Sequence, residues 1–589
     1  MRIGRRSPVL QDKARVAPTE DVPGIEEAVD GPVLLLEVGS TATRAVLLDT
    51  VEGRYRFVAS ATTRTTLYPP TSEVVSGIRG AVAEVERITR RRLLDSSGLI
   101  YPDRPDGGLS AAVLTAAEPL RVALVRTAGG IPATLVRSAL DASALLWVGS
   151  VEVEGSDRPD DSFSERLREL LRSNPDVILV LGPRETSGEQ AGGRLEWCLA
   201  KALEQSNCAK PVVLFVGAPS LVGWWEDALG GLATFRSVDP SAAGSEDLGI
   251  RGELRAVWRN RLADEVAGYG SAQSWVSCPM MPTSEALATA LRFLAQQRGC
   301  PVWGVDAGSS TSCLIRAVAE HAAVRCAEVG VARRIQWALK GEAFRRLLPN
   351  ADPDDVRDAL WNRSVRPWAV PETREEQDVV QALAREAIRL VRQTAGLGDC
   401  RWPRRIGLVV VRGGGLHPVS RPAEVAWAVA EGLQAVGIFE LALDRHEMLP
   451  GLGLLASIAP QAAAEALLSD GLAVLATMAV AQGGRLGELA ARVELRYLDG
   501  RRRQVDVLVG QTATLPLGAS EVAEMTLAPA PEVDFGWGYG KPVELRVQGG
   551  AAGLLIGVRP EPASESFRRR FSRRLVARCR RMIGAVGVR

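Results

Sequence analysis

Two short segments carry residue types able to hold a phosphate. Residues 33–49, VLLLEVGSTATRAVLLD, and residues 302–318, VWGVDAGSSTSCLIRAV, share one order: an apolar run, an acid, one residue, Gly-Ser, a hydroxyl-rich turn and a second apolar run. Backbone N–H groups of such a turn, with its Ser and Thr hydroxyls, can surround phosphate oxygens, while an acid at the strand end can hold a hydrated Mg2+. The first set is Glu37, Gly39, Ser40, Thr41 and Thr43; the second is Asp306, Gly308, Ser309, Ser310, Thr311 and Ser312. One such turn reads as an ordinary tight turn, whereas two in matched contexts can clasp a polyphosphate from both sides. A third element, Gly413-Gly414-Gly415, follows an apolar strand and precedes a helical segment, where glycine lets a flat adenosine approach the backbone; by itself it reads equally as a strand-to-helix turn. The ligands implied are ATP and Mg2+, with Glu37 and Asp306 as the metal carboxylates.

The elements that must position these residues repeat. The two segments lie about 270 residues apart, too far for a solenoid and suited to duplicated domains. After the first hairpin, Val74–Leu94 has helical apolar spacing and an Arg-rich end. Apolar strands then alternate with helices: Ala111–Thr115, Val122–Arg126, Ala144–Val148, Val177–Leu181 and Val212–Val216, with Leu195–Gln205 and Ala218–Leu229 as covering helices. That rhythm indicates a sheet covered on both faces. Behind the second hairpin come a helical region over Asp354–Thr394, the strand Ile406–Val411 and a helix over Ala423–Val436. From about residue 485 the pattern turns to β, with Asp499-Gly500 between alternating strands as a hairpin signal and further strands at Pro542–Val547 and Gly553–Val558. The layout read from the sequence is a flexible leader at 1–30, a first domain at 31–300 with inserted α/β segments, a second domain at 301–484, a β-rich domain at 485–562 and a basic helix at 563–589.

Composition excludes several classes. With 71 Lys+Arg against 70 Asp+Glu the formal charge is +1, so no global field draws the chain to nucleic acid or an anionic membrane, and no nucleic-acid partner is expected. The eight cysteines form no CxxC pair and no metal-ligand spacing with the three histidines, and read as reduced cytosolic thiols. The N-terminus lacks the apolar run of a signal peptide, and the most apolar stretch, Gly471–Ala481, is too short to span a bilayer, so a cytoplasmic location is expected. The tail carries nine arginines between Arg568 and Arg589, interleaved with apolar residues. It reads as a helix packing on the β-domain, with an acidic partner, an anionic membrane surface or RNA as the alternatives. His417 and His446 read as surface or helix-capping residues, and Cys313 as a small buried residue at a strand start, its alternative being a redox-sensitive thiol. Trp224-Trp225 reads as a packed pair, its alternative being a docking surface.

The sequence resembles the glutamate mutase L family, often catalogued as MutL, within the actin, sugar-kinase and heat-shock-chaperone ATPase superfamily. EVGSTATRAVLLD is similar to that family's DxGSTxTK opening, PDVILVLGPRETSG (Pro175–Gly188) to its PDxILLAGGTDGG segment, and GVDAGSSTS to its VDIGGATTD. RGGGLHPVSRPAEVAWAVAEGLQAVGIFELALDRHEMLPGLGLLA resembles its GGVLxH…LDRxxLLPxLGxLA stretch, and the likeness covers roughly residues 31–485. It implies an α/β protein with a duplicated actin-like (ribonuclease H-like) ATPase fold and central mixed sheets, followed here by the β-rich segment. It also implies an ATP-binding partner of adenosylcobalamin-dependent mutase subunits that assists or reactivates them. The departures bear on turnover: Glu37 stands for the family's Asp, Arg44 for its Lys, Ser309 for its second Gly and Cys313 for its closing Asp, while the TDGG-like turn is Glu185-Thr186-Ser187-Gly188. No Asp, Glu or Gln marks itself as the residue that orients an attacking water, which predicts a slow Mg-dependent ATPase or none. Three readings stand at this level: a reactivating factor, a non-hydrolysing scaffold that binds through its C-terminal part, and a small-molecule kinase.

Overall fold

The computed structural model describes residues 29–560, except 106, 127–129, 153–160, 184–188, 240–245, 266, 349–350, 395–406 and 417–420. Most of the leader, the basic C-terminal helix, His417 and the Glu185–Gly188 turn therefore lie outside the described residues.

The first half begins with three antiparallel strands, β1 (Val33–Val38), β2 (Ala42–Val51) and β3 (Arg54–Arg64), then α1 (Val74–Thr89) and β4 (Ala111–Ala116). Helix α1 starts where the Glu73 carboxylate accepts hydrogen bonds from the Val75 and Ser76 N–H groups. It stops at Arg90, in the left-handed region at φ 58°, so the expected run to Leu94 ends early and the Arg-rich stretch lies beyond it. Its buried stripe of Val74, Ile78, Val82 and Val85 packs on the sheet.

An α/β unit interrupts this half. It comprises β5 (Leu120–Arg126), α2 (Ala133–Asp141), β6 (Leu145–Glu152), α3 (Asp161–Arg172), β7 (Val177–Leu181), α4 (Glu189–Glu204), β8 (Val212–Val216), α5 (Val222–Leu229), β9 (Thr234–Val238), α6 (Glu246–Glu265) and α7 (Tyr269–Ser274). Its strands are all parallel, in the order β6-β5-β7-β8-β9, and β5, β7 and β8 are almost wholly buried, as their unbroken apolar runs require. The tryptophan pair divides: Trp225 packs in this unit's core and Trp224 faces solvent. The chain then returns through β10 (Met281–Pro282), giving the first sheet the order β10-β4-β1-β2-β3, and enters α8 (Thr283–Arg298).

The second half repeats the plan with β11 (Val302–Ala307), β12 (Ser312–Ala317) and β13 (Ala322–Ala327), then α9 (Gly341–Leu347), α10 (Pro353–Val365), α11 (Arg374–Gln393), β14 (Leu408–Arg412), α12 (Pro422–Leu433) and β15 (Gly437–Asp444). The single helical region expected over Asp354–Thr394 is two helices, because Pro367 and Pro371 lie between α10 and α11 and a Thr373/Glu376 capping box starts α11. Next come α13 (Leu449–Leu455), α14 (Pro460–Asp470) and β16 (Leu472–Gly483). The order β13-β12-β11-β14-β15 matches β3-β2-β1-β4-β10, with three antiparallel strands followed by parallel ones. That repeated order is the duplicated actin-like ATPase fold.

The β-rich region contains β17 (Leu489–Tyr497), β18 (Arg502–Leu508), β19 (Thr512–Leu515), β20 (Val522–Pro529), β21 (Val533–Asp534), β22 (Val543–Gln548) and β23 (Leu554–Arg559). The Asp499-Gly500 turn joins β17 to β18, with Gly500 at φ 86°. Strands β18-β17-β20-β22 form a sheet of their own, while β19, β21 and β23 extend the sheet of the second half, β23 running parallel to β16.

Helices α8 and α13 lie between the two halves, and one apolar core takes in Leu35 and Val46 of the first sheet, Leu291 and Leu452 of the helices, and Ile315 and Val410 of the second. A Cβ on Gly453 would sit 1.8 Å from the Ala286 carbonyl oxygen, so the two helix backbones touch. Gly453→Val is expected to cost upward of about 3 kcal/mol in a denaturant melt, since the obstacle is backbone, unable to step aside as a side chain can.

Candidate functional site

Both Gly-Ser turns close hairpins of the same register. Val38 faces Thr43 across the first and Ala307 faces Ser312 across the second. Their tips meet: the Thr41 hydroxyl donates to the Ser309 hydroxyl oxygen across the boundary between the halves. Ser309 also anchors the second turn from below, its carbonyl accepting from the Ala332 and Arg333 N–H groups and its hydroxyl from Arg333 N–H at 3.2 Å. The side chain that replaces a glycine of the family pattern thus has a structural task.

A cavity of about 800 Å³ opens between the halves. Of the residues expected at a nucleotide site, Glu37, Gly39, Ser40, Thr41, Asp306, Gly308, Ser309, Ser310, Thr311, Gly413 and Gly414 line it. The other three lie behind the wall. Thr43 is buried against Thr65 at 3.3 Å, Ser312 donates to the Val329 carbonyl at 2.7 Å, and Gly415 packs under Val331 and Ala384. Two residues of the cavity wall, Ser310 and Thr283, have buried hydroxyls without a hydrogen-bond partner.

The three glycines after β14 differ in role. Gly413 has φ 98°, and a Cβ there would lie 2.5 Å from the Ala307 carbonyl oxygen. Gly413→Ala is expected to destabilise the chain by at least about 1–3 kcal/mol in thermal or denaturant melts. Gly414 is exposed, and a Cβ on it meets nothing within 4 Å.

Sequence reading missed the centre of the site, Arg412. Its side chain is buried at the floor of the cavity; one terminal nitrogen donates to both Glu37 oxygens, at 2.9 and 2.8 Å, and the other to Asp306 at 2.9 Å. Its Nε lies 3.5 Å from Asp444. The placement follows from register: β11 runs parallel to β14 with Asp306 beside Arg412, and Glu37 reaches in from the first half. Arg44 lies across the hairpin from Glu37 and pairs with Glu447, which adds a second ion pair between the halves. Asp444 also accepts from the Met448 and Leu449 N–H groups at 3.0 and 3.2 Å, which starts α13. The only signal in sequence was an arginine ending an apolar strand next to Gly-Gly-Gly.

Burial works to lower the Arg412 pKa, but the facing carboxylates, Glu37 foremost, hold it well above its ordinary value. Asp306 is raised by burial, against which Arg412 pulls down and Glu37 and Glu447 push up. Burial likewise raises Asp444, to about 7. A carboxyl group raised in the folded state adds stability at low pH that is lost as pH climbs through the folded value. Denaturant midpoints should therefore fall as pH rises from about 5 to about 8, and Asp444→Asn should flatten that slope.

His446, half-buried, stacks on Phe57 with ring centroids 3.7 Å apart. Cys313 is buried opposite Cys326, which with burial raises its thiol well above the ordinary value, so the reading as a small buried residue fits its place. In the cavity wall the Arg64 guanidinium lies 3.3 Å over the Trp368 ring; elsewhere the Arg333 guanidinium lies equally close over Tyr68. Among the described residues no helix is long and apolar enough to cross a membrane.

The carboxylates expected to hold Mg2+ do not fit a hydrated cation in this arrangement. Mg2+ demands near-octahedral oxygens and keeps several waters, whereas Glu37 and Asp306 both face a guanidinium that already fills the space between them. Among the described residues no group of three or more His, Cys, Asp or Glu side chains is placed to hold a metal.

A family model described as MutL protein matches residues 33–470, which takes in both turns and the whole cavity floor. The chain belongs to the MutL family. No curated protein matches it. Solved structures similar to this MutL-family chain include the diol dehydratase-reactivating factor in nucleotide-free form, at 12% identity and TM-score 0.29, covering 73% of this chain and 100% of that one. A glycerol dehydratase reactivase matches at 11% and 0.28, covering 68% and 95%. Xylulose kinase from Bifidobacterium adolescentis matches at 11% and 0.27, covering 76% and 96%. The fold assignment rests on the repeated strand order and not on these likenesses.

Proposed function

We propose that this chain binds an adenine nucleotide between its duplicated halves and acts as an accessory factor that reactivates an adenosylcobalamin-dependent mutase, with slow hydrolysis or none. The observation that carries the nucleotide reading is the pair of turns meeting over one cavity, with Ser310 and Thr283, whose buried hydroxyls have no partner, in its wall. Buried hydroxyls are seldom left without partners, and phosphate oxygens would supply them. Gly414 leaves the backbone open to the adenosine, and Trp368 offers an aromatic surface in the cavity wall. The mutase partner is what membership of the MutL family implies.

Slow turnover follows from the carboxylates. Each acid lining the cavity is engaged: Glu37 and Asp306 by Arg412, Glu118 by Tyr68 and Arg261, Glu328 by Arg121 and Arg334, and Glu447 by Arg44. Among the described residues none of these acids stands ready to take a proton from an attacking water or a substrate hydroxyl, which also disfavours a kinase. The nucleotide would act by binding the open and closed arrangements of the halves unequally, since a ligand shifts an equilibrium only as far as it distinguishes the states.

The test is recovery of a mutase inactivated by damaged cofactor, with and without this protein and ATP. Recovery that requires both is expected; no recovery, together with no co-elution of mutase, would sink the mutase reading. Calorimetry with ATP and ADP checks the cleft separately. Ser310→Ala should weaken ATP binding about 3- to 10-fold, one hydrogen bond's worth, without lowering the melting temperature, because the unliganded chain loses only an unpartnered hydroxyl.

A further inference from the structure

We infer that Arg412 is the resident cation of the cleft, standing where a nucleotide site of this design would recruit a divalent metal, so that polyphosphate binds here without a metal at Glu37 and Asp306. The inference rests on the nucleotide reading for its ligand but not for its geometry. The two acids occupy equivalent places in the duplicated halves, one residue before the strand end that leads into each Gly-Ser turn. Both are satisfied by one planar group: Glu37 takes one terminal nitrogen through both its oxygens, and Asp306 takes the other. Five fixed N–H donors in a fork suit two carboxylates at once, and the guanidinium keeps its charge at any pH the protein meets.

Little solvent reaches the ion cluster itself. The Arg412 residue is 2% exposed, Glu37 8% and Asp444 0%, so a hydrated Mg2+ could sit between the two acids only by displacing the guanidinium that bridges them. A divalent ion entering here would have to expel a buried guanidinium from its carboxylates, a costly separation in a low-dielectric site. Positive charge for the ligand is supplied elsewhere on the wall. Arg64 lies on Trp368, and Arg363 has a buried Nε without a hydrogen-bond partner. Both line the cavity. The same network ties the halves together, because Glu37 belongs to the first and Asp306, Arg412 and Asp444 to the second.

Two measurements test this. In the first, ATP is titrated into the intact protein with EDTA and then with excess Mg2+. Affinities within about threefold are expected, and a loss greater than tenfold in EDTA overturns the proposal. In the second, Mn2+ alone is titrated and followed by electron paramagnetic resonance. The wild-type chain should show no site that Glu37→Gln removes, whereas Arg412→Met should gain one Mn2+ site that the added Glu37→Gln change abolishes. A Glu37-dependent Mn2+ site in the wild type, or a folded Arg412→Met protein that gains none, overturns it. If Arg412→Met does not fold, the wild-type Mn2+ and EDTA arms still decide. A wild type that binds no ATP in either buffer would remove the nucleotide reading, and the Mn2+ arms would then decide the role of Arg412 by themselves.

Discussion

Arg412→Met is expected to lower the unfolding free energy by about 3–5 kcal/mol near neutral pH, because it takes the central cation from Glu37, Asp306 and Asp444 and leaves Glu37 the Arg44 guanidinium at 3.6 Å. Removing one member of a buried ion cluster costs far more than the cluster contributes as a whole, since the remaining charges stay desolvated. The deficit should shrink as pH falls. Asp306 and Asp444 already have raised values with Arg412 in place, Asp444 to about 7, and losing the guanidinium pushes both further up. Protonation then removes the uncompensated charge, so urea midpoints of variant and wild type should converge between about pH 7 and pH 5. Arg412→Lys should recover only part of the loss, because an ammonium group cannot serve both carboxylates in one plane. A deficit below about 1 kcal/mol at pH 8 would mean that solvent reaches the cluster and screens it.

Gly414→Phe is expected to abolish nucleotide binding while leaving the fold intact. A Cβ at this position meets nothing within 4 Å, the residue is exposed, and it lines the cavity, so a ring has free space to enter and no packing to disturb. The loss should reach at least about 100-fold in Kd for ATP by calorimetry, or about 2.7 kcal/mol, with a melting temperature within about 2 °C of wild type. The adjacent glycine is the internal control. Gly413→Ala places a much smaller group against the Ala307 carbonyl and should lower stability instead. If Gly414→Phe binds ATP as the wild type does, the nucleotide does not lie along the Gly413–Gly415 backbone, and the reading of this element as an adenosine platform fails. The variant is also a cleaner probe than removal of Asp306, which would strand part of the Arg412 charge.

The sequence by itself determined much of the plan. Its two matched hairpins, 33–49 and 302–318, announced a duplication, and the register confirms that each Gly-Ser turn closes equivalent strands. The apolar runs Val177–Leu181 and Val212–Val216 became strands with those same bounds, because five consecutive apolar residues between turn-forming residues (Asp176 and Gly182, Pro211 and Gly217) suit a sheet covered on both faces. Most of the residues that local spacing singled out do line the cavity, since turn residues and glycines declare themselves through backbone needs that short sequence carries. What spacing could not separate was which hydroxyls look outward: Thr43 and Ser312 point into the structure, a matter of strand alternation at the two ends of each turn.

Only the tertiary structure decided the chemistry of the floor. Glu37, Asp306, Arg412, Asp444 and Glu447 come from strand ends and a helix start spread over more than four hundred residues, and nothing in the sequence around any one of them names its partners. Two acids after apolar strands read as a metal pair when taken alone; with a guanidinium brought between them by the parallel pairing of β11 and β14, they become its counter-ions. Likewise, the expected β-rich unit gave β19, β21 and β23 to the sheet of the second half, because an open sheet edge at β16 is satisfied by whichever strand the folded chain brings alongside it. Backbone propensity and periodicity are local and so legible in sequence. Charge pairing and edge pairing depend on distance in space, and that is set only when the halves close on each other.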